Sequence, residues 1–318
     1  MTRPEVPADV AARARDIIEG RVPPVVPRDA ATVILLRPAA PSVRSPSPGV
    51  EVYMLRRRRS MAFAPGAYVF PGGGVDESDA DEEPPCPPGS TASRESGAAD
   101  CAGLYAGPDS ADFGEVIDAS PARARALARA AVRETFEESG VLLAGPSRTA
   151  VVSDTSGEDW EADRQALAER SVSLAALLAR RGLVLRADLL RPWARWITPE
   201  AEKLRYDTRF FVAPLPAGQH AAGPCGEADE VAWFRPAEAI AAAEAGEIRL
   251  LPPTAVTLRE LAAFPDVPAI LAARRRITPR QPRVVLGSGT SGSGQPGGRS
   301  GTQMRAWLAM PEDTEGQE

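Results

Sequence analysis

Three glutamates, Glu134, Glu137 and Glu138, fall within five positions of "AVRETFEESGV" (Ala131 to Val141), just before Gly140. On a helix, at about 100° per residue, they share roughly one 100° arc, while Val132 and Phe136 point the other way. Two rules oppose the arrangement. Like charges three or four apart repel, and carboxylates at a helix C-terminus oppose the macrodipole. One reading is a solvated acidic face, with Arg133 supporting Glu137 at i,i+4. The other is chemistry. A hard divalent cation, Mg²⁺ or Mn²⁺, takes oxygen ligands and offsets both penalties. The run "FPGGG" (Phe70 to Gly74) adds a glycine turn, where backbone can approach a ligand closely. Mg²⁺ keeps waters and binds substrate phosphates, so phosphate-ester or pyrophosphate chemistry is the class indicated.

Composition narrows the alternatives. Net charge −6 and a pI near 5.2 argue against general nucleic-acid binding. The single histidine, His220, would have to serve any Ser-His-Asp or histidine-zinc mechanism. Acid–base and metal work is therefore expected of carboxylates. Cys86, Cys101 and Cys225 show neither metal nor redox spacing, which fits reduced thiols in a cytosol. No stretch has the length and purity of a membrane span, and "MTRPEVPADV" lacks the apolar region of a signal peptide. Cytoplasm is the expected location, with no membrane partner.

The elements that must position these residues follow from pattern. "ATVILLRP" (Ala31 to Pro38) and "VEVYMLRR" (Val50 to Arg57) read as strands, and "GAYVFPGGG" (Gly66 to Gly74) as a short strand running into the glycine turn. Residues 77–119 shift to Asp, Glu, Pro, Ser and Gly, too long for an ordinary connection, and read as a partly disordered insertion. A helix then starts with Ser120 as N-cap and Pro121 at N1, and stops at Gly140. A second helical stretch, Glu158 to Gly182, is interrupted near Ser171 and Ser173. Strands are predicted over Trp193 to Thr198, Leu204 to Leu215 and Glu230 to Phe234, and helices over Pro236 to Ala245 and Pro253 to Phe264. Gly287 to Gln303 reads as a Gly/Ser-rich flexible linker. The mixed order implies α/β or α+β. The expected organisation is an N-terminal extension over 1–29, one domain over 30–275, and a C-terminal extension over 276–318.

"GG…RETFEESGV" resembles the signature of Nudix hydrolases, Gly-x5-Glu-x7-Arg-Glu-U-x-Glu-Glu-x-Gly-U with U aliphatic. Gly73 matches the opening glycine, and Arg133, Glu134, Glu137, Glu138, Gly140 and Val141 match the closing half in register. Thr135 stands where the first U belongs. Gly73 and Arg133 are 60 positions apart, an insertion of about 46 residues into the pattern. The pattern's first glutamate falls on Asp79, with Asp76 as the other candidate for its role. A box split in this way resembles the coenzyme A diphosphatase branch, as do "WARWITPEAEKLRYDTRFFVAPLP" and "EVAWFRPAEAIAAAEAGEIRLLPPT".

The resemblance implies a mixed-sheet α/β/α sandwich with additional helices and a long loop insertion. It implies Glu134 and Glu138 as principal metal ligands assisted by Glu137, a backbone carbonyl of Gly72 or Gly73 in the metal shell, and Arg133 orienting the cluster. The reaction implied is in-line attack of water on a pyrophosphate, with a box glutamate such as Glu137, or Glu227 or Glu230 from "CGEADEVAWF", as base. "GAYVFPGG" matches the end of a second signature of coenzyme A diphosphatases, but "MLRRRRSMAFAPG" matches its start loosely. Substrate contacts are expected from Arg57 and Arg58, which suit phosphate, from Gly72 and Gly74, and from Phe210 stacking on adenine, against a core-packing alternative. The expected substrate is coenzyme A or acyl-coenzyme A. ADP-ribose, a dinucleotide or a nucleotide sugar is the second reading, and a non-catalytic Nudix-like binding domain the third. The insertion's role stays open between covering the site, setting substrate size and making a homodimer contact.

Overall fold

The computed structural model describes residues 6–41, 48–61, 64–80, 105–108, 110–223, 226, 228–289 and 303–310. In chain order the elements are α1 (Ala8–Ile18), β1 (Arg28–Ala39), β2 (Gly49–Arg57), β3 (Ala67–Val69), β4 (Gly72–Gly74), α2 (Glu77–Ala80), β5 (Tyr105–Ala106), α3 (Ser110–Ile117), α4 (Pro121–Ser139), β6 (Ala144–Gly145), α5 (Glu158–Ala168), α6 (Leu174–Arg181), β7 (Val184–Arg186), β8 (Arg191–Ile197), β9 (Tyr206–Pro214), β10 (Ala228–Phe234), α7 (Pro236–Glu244), β11 (Arg249–Leu250), α8 (Pro252–Leu261), α9 (Val267–Ala272), β12 (Pro279–Arg280), β13 (Arg283–Gly289) and β14 (Gln303–Ala309). They divide into a larger unit, Ala30–Ala194 with Arg209–Ile277, and a smaller one, Met1–Asp29 with Arg195–Thr208 and Thr278–Glu318. Arg195–Thr208, expected within the central domain, clusters with the two ends.

In the larger unit the strand order is β11–β3–β2–β1–β9–β8, with β10 also on β2 and β4 also on β1. β1 and β2 pair antiparallel only from Leu36↔Val52 to Ala39↔Gly49. Beyond that point they part, and the segment from β3 to β4 fills the gap. It pairs with β2 through Leu55↔Val69 and then with β1 through Ala31↔Gly73. The "glycine turn" is therefore extended backbone bonded into the sheet, a correction to the expectation. β11 lies parallel to β3, so the sheet is mixed.

Alternate residues of β1, Ala31, Val33 and Leu35, share a fully buried cluster with Leu127, Val132 and Phe136 of α4 and Phe211 and Ala213 of β9. The intervening Ile34 and Leu36 are equally buried, so the other sheet face is covered too, as a layered α/β fold requires. The insertion folds at its edges. Phe113 of α3 is buried and stacks on Phe211 at 5.8 Å, while α2 precedes residues 81–104, which lie outside the described part. A separate small sheet, β5–β7–β6, flanks this unit's helices.

In the smaller unit, α1 buries Val10 and Ala14 with Ala201, against which Val284 of β13 packs. β13 and β14 form an antiparallel pair, Arg283↔Ala309 to Gly289↔Gln303. This takes both ends of the expected linker into a ladder. Trp307 lies over Gly287, where an added Cβ would come within 2.3 Å of its ring. Arg195 and Asp207 form a buried two-pronged ion pair at 2.7 and 2.8 Å.

Candidate active site

α4 is built as its sequence dictates. The Ser120 hydroxyl accepts from the Arg123 N–H, Pro121 opens the helix, and Gly140 closes it in the left-handed region at φ 70°. Val132 and Phe136 are fully buried on the sheet side. Thr135 fits the aliphatic position because its hydroxyl donates to the Ala131 carbonyl at 2.6 Å, leaving its methyl to pack. Arg164 on α5 donates to the Glu137 carbonyl at 2.9 Å. That places a cation at the helix end where the dipole calls for one.

The glutamates do not face bulk solvent. The Glu134 and Glu137 side chains are each only 14% exposed. The Gly72 N–H donates to Glu138 Oε2 at 2.7 Å. The Glu134 carboxylate lies directly on Gly73, where a Cβ would come within 2.4 Å of Oε1. Only glycine leaves room for that acid. The three-glycine strand and the glutamate turn of α4 thus form one surface.

Arg133 is the hub of this surface, buried to 4% exposure. Nη1 donates to Glu134 Oε1 at 2.8 Å and Glu137 Oε1 at 3.2 Å. Nη2 donates to the Gly74 carbonyl at 2.9 Å and to Asp79 Oδ2 at 2.7 Å, and Nε reaches Asp79 Oδ1 at 3.0 Å. Burial opposes the guanidinium charge, but the bonds to Asp79 and the charges of Glu134, Asp79 and Glu137 outweigh it and hold its pKa above the ordinary value. Asp79 is 1% exposed, and its Oδ2 also accepts the Asp76 N–H at 2.9 Å. Of the two aspartates, Asp79 makes the close pair with Arg133. Asp76 stands 3.8 Å from it and pairs with Arg170.

The electrostatics are those of a site short of positive charge. Burial pushes the Glu134 carboxyl up to about 7; Arg133 opposes this and Glu137 adds to it. Burial likewise raises Glu137, against Arg133. Among the described residues no three acidic, His or Cys side chains are gathered into a ready cation cage; Arg133 draws Glu134 and Glu137 to its own Nη1. The donor set nevertheless fits a hard divalent ion. It is all oxygen, from Glu134, Glu137 and Glu138, and burial leaves Glu134 and Glu137 holding protons more tightly than free carboxylates do, a cost that a bound cation offsets.

Other expected site residues fall elsewhere. Gly72 and Gly74 spend polar groups on Glu138 and Arg133, so they shape the acid cluster. Arg56 pairs with Asp229 and Glu230 at 2.7 Å each. By strand alternation Arg57 shares a face with Tyr53, which belongs to the α4-side core, and Arg58 follows the end of β2. Arg58 donates to the Ala228 carbonyl at 3.3 Å. Phe211 packs on the α4 side, so Phe210, 7% exposed, turns to the other face and is not brought to the glutamates. Glu230 is held by Arg56, and Glu227 lies outside the described residues. His220 is exposed. Sequence reasoning passed over Arg164 and Arg170; their partners, the Glu137 carbonyl and Asp76, lie 27 and 94 positions away, beyond local pattern.

Residues 27–261 match the family model described as the NUDT19 Nudix domain. Acyl-coenzyme A diphosphatase NUDT19 of Gallus gallus is 31% identical over 74% of this chain and 68% of its own length. The proteins of the same name from Xenopus laevis and Homo sapiens are 25% and 27% identical, over 63% and 64% of their lengths. A crystal structure of a NUDIX hydrolase from Alicyclobacillus acidocaldarius is 28% identical and covers 79% of this chain and 98% of its own, with a TM-score of 0.61. The chain belongs to the Nudix hydrolases, in the branch of the NUDT19 Nudix domain. Enzymes of this superfamily generally require divalent metal ions. Among the described residues no helix is long and apolar enough to cross a membrane.

Proposed function

We propose that the protein is a Mg²⁺- or Mn²⁺-dependent diphosphatase that cleaves coenzyme A or acyl-coenzyme A to 3′,5′-ADP and the corresponding 4′-phosphopantetheine. The observation that carries this reading is the packing of Glu134 and Glu138 onto Gly73 and Gly72 around Arg133. It occurs in a chain whose chicken, frog and human relatives are named acyl-coenzyme A diphosphatases. When bound, a divalent ion neutralises the diphosphate and lowers the pKa of the attacking water. Glu134, Glu137 and Glu138 would hold it. Arg133 sets the orientation of Glu134 and Glu137, and the Gly72 N–H that of Glu138. A carboxylate, Glu137 or Glu227, accepts the proton of the water.

A second reading is hydrolysis of ADP-ribose, a dinucleotide or a nucleotide sugar; the arginine-rich end of β2 meets acidic neighbours, Arg56 pairing with Asp229 and Glu230. A panel of coenzyme A, acyl-coenzyme A, ADP-ribose, dinucleotides and nucleotide sugars with Mg²⁺ and with Mn²⁺ tests both. Release of 3′,5′-ADP from coenzyme A is expected; turnover of ADP-ribose without it overturns the first reading in favour of the second. The scattered cysteines support a reducing, cytoplasmic setting. A homodimer is the oligomeric state to test by light scattering.

A further inference from the structure

The acid surface poses a problem for an anionic substrate. Asp76, Glu134, Glu137 and Glu138 confront it, and Arg133 is buried against Asp79, Glu134 and Glu137. Arg170 is different. Its side chain is 76% exposed, and Nε and Nη2 fork onto Asp76 at 2.9 and 3.2 Å. It lies close enough to Arg133 and Glu134 to feel both charges.

Its backbone makes this placement informative. Arg170 follows α5 in the left-handed region at φ 56°. Its N–H bonds to the Leu167 carbonyl at 2.8 Å, and that of Ser171 to Ala166 at 2.9 Å. This is the helix-terminating position where glycine is favoured and a Cβ is strained. An exposed ion pair contributes little stability in return. The exposed pair with Asp76 therefore offsets little of the backbone cost.

We propose that Arg170 is a phosphate clamp of this site: its fork rests on Asp76 and turns to the phosphoryl oxygens of the substrate, which match its geometry at least as well as a carboxylate does. The proposal rests on the diphosphatase reading above and names a residue that contacts the anion. Because the pair with Asp76 is exposed, exchanging one partner for the other is cheap.

Arg170→Gly removes the fork and suits the left-handed backbone, so the variant keeps its fold. The expected result is KM raised about tenfold with kcat changed less than about twofold, the loss of one charge-assisted contact. Calorimetry should show magnesium pyrophosphate binding weakened about tenfold, Mg²⁺ binding alone unchanged, and Tm equal or higher. Arg170→Lys, which keeps charge without the fork, should recover part of the loss. An unchanged KM and pyrophosphate affinity, a loss confined to kcat, or weakened Mg²⁺ binding overturns the clamp. If the wild-type chain cleaves no nucleotide on the panel, the diphosphatase reading fails separately. The pyrophosphate titrations still decide Arg170, and no binding by the wild type rejects it.

Discussion

The Asp79 carboxylate grips the Arg133 guanidinium with both oxygens, Oδ2 at 2.7 Å and Oδ1 at 3.0 Å, across 54 positions of sequence. Both groups are buried, at 1% and 4% exposure. An aspartate thereby takes the place that the family pattern gives to a glutamate.

Asp79→Asn should be strongly destabilising. It leaves a buried cation with one strong partner fewer, and breaking a buried pair costs about 3–5 kcal/mol. Urea unfolding checks this. Asp76→Asn, at a half-buried position, should cost much less.

Gly73→Ala should fold and lose activity. The new Cβ would lie 2.4 Å from Glu134 Oε1, so the carboxylate must move. Misplacement on that scale costs about a hundredfold in turnover. Steady-state kinetics against a thermal melt separates this from unfolding.

Glu138→Gln keeps an oxygen to accept the Gly72 N–H and removes the charge. Tm should change little, while metal-dependent turnover falls at least about a hundredfold. Unchanged turnover would remove Glu138 from the metal set.

The pH dependence follows from Glu134. Its carboxyl is raised from 4.5 to about 7 in the folded chain. Between those values the native state holds a proton that the unfolded chain has lost. Stability of the metal-free protein therefore falls as pH rises from about 4.5 to about 7 and then levels. Metal competes with that proton, so Mg²⁺ affinity should rise over the same interval and plateau above it. Melts and titrations at several pH values check both trends, and Glu134→Gln should flatten them.

Much of this was legible in the chain. The apolar–acidic division of α4, the Ser120 and Gly140 caps and the principal strands are local patterns, and local chemistry specifies them. What stayed hidden was pairing at a distance. Nothing in "GGG" marks a strand, because its partners at Ala30–Thr32 lie some forty positions back. Sheet register sends Phe210 away from the α4 side, where Phe211 packs, and two adjacent phenylalanines cannot reveal which parity wins. The end of β13 from Gly287 to Gly289 and the start of β14 at Gln303 looked like linker, because Gly287 takes its place through contact with Trp307, not through propensity. Arg170 went unnoticed since its value lies in Asp76, 94 positions earlier.

The detour between Asp79 and Arg133 has a consequence for how this architecture can vary. Closing a loop grows costlier only as the logarithm of its length, so making one about eightfold longer adds about 2 kcal/mol. Removing one partner of the clasp at its base costs more than that. The position after Asp79 thus serves as a splice point. Lengthening the chain there costs little while the acids opposite Gly72 and Gly73 keep their places, whereas Phe113, buried against Phe211, has to stay.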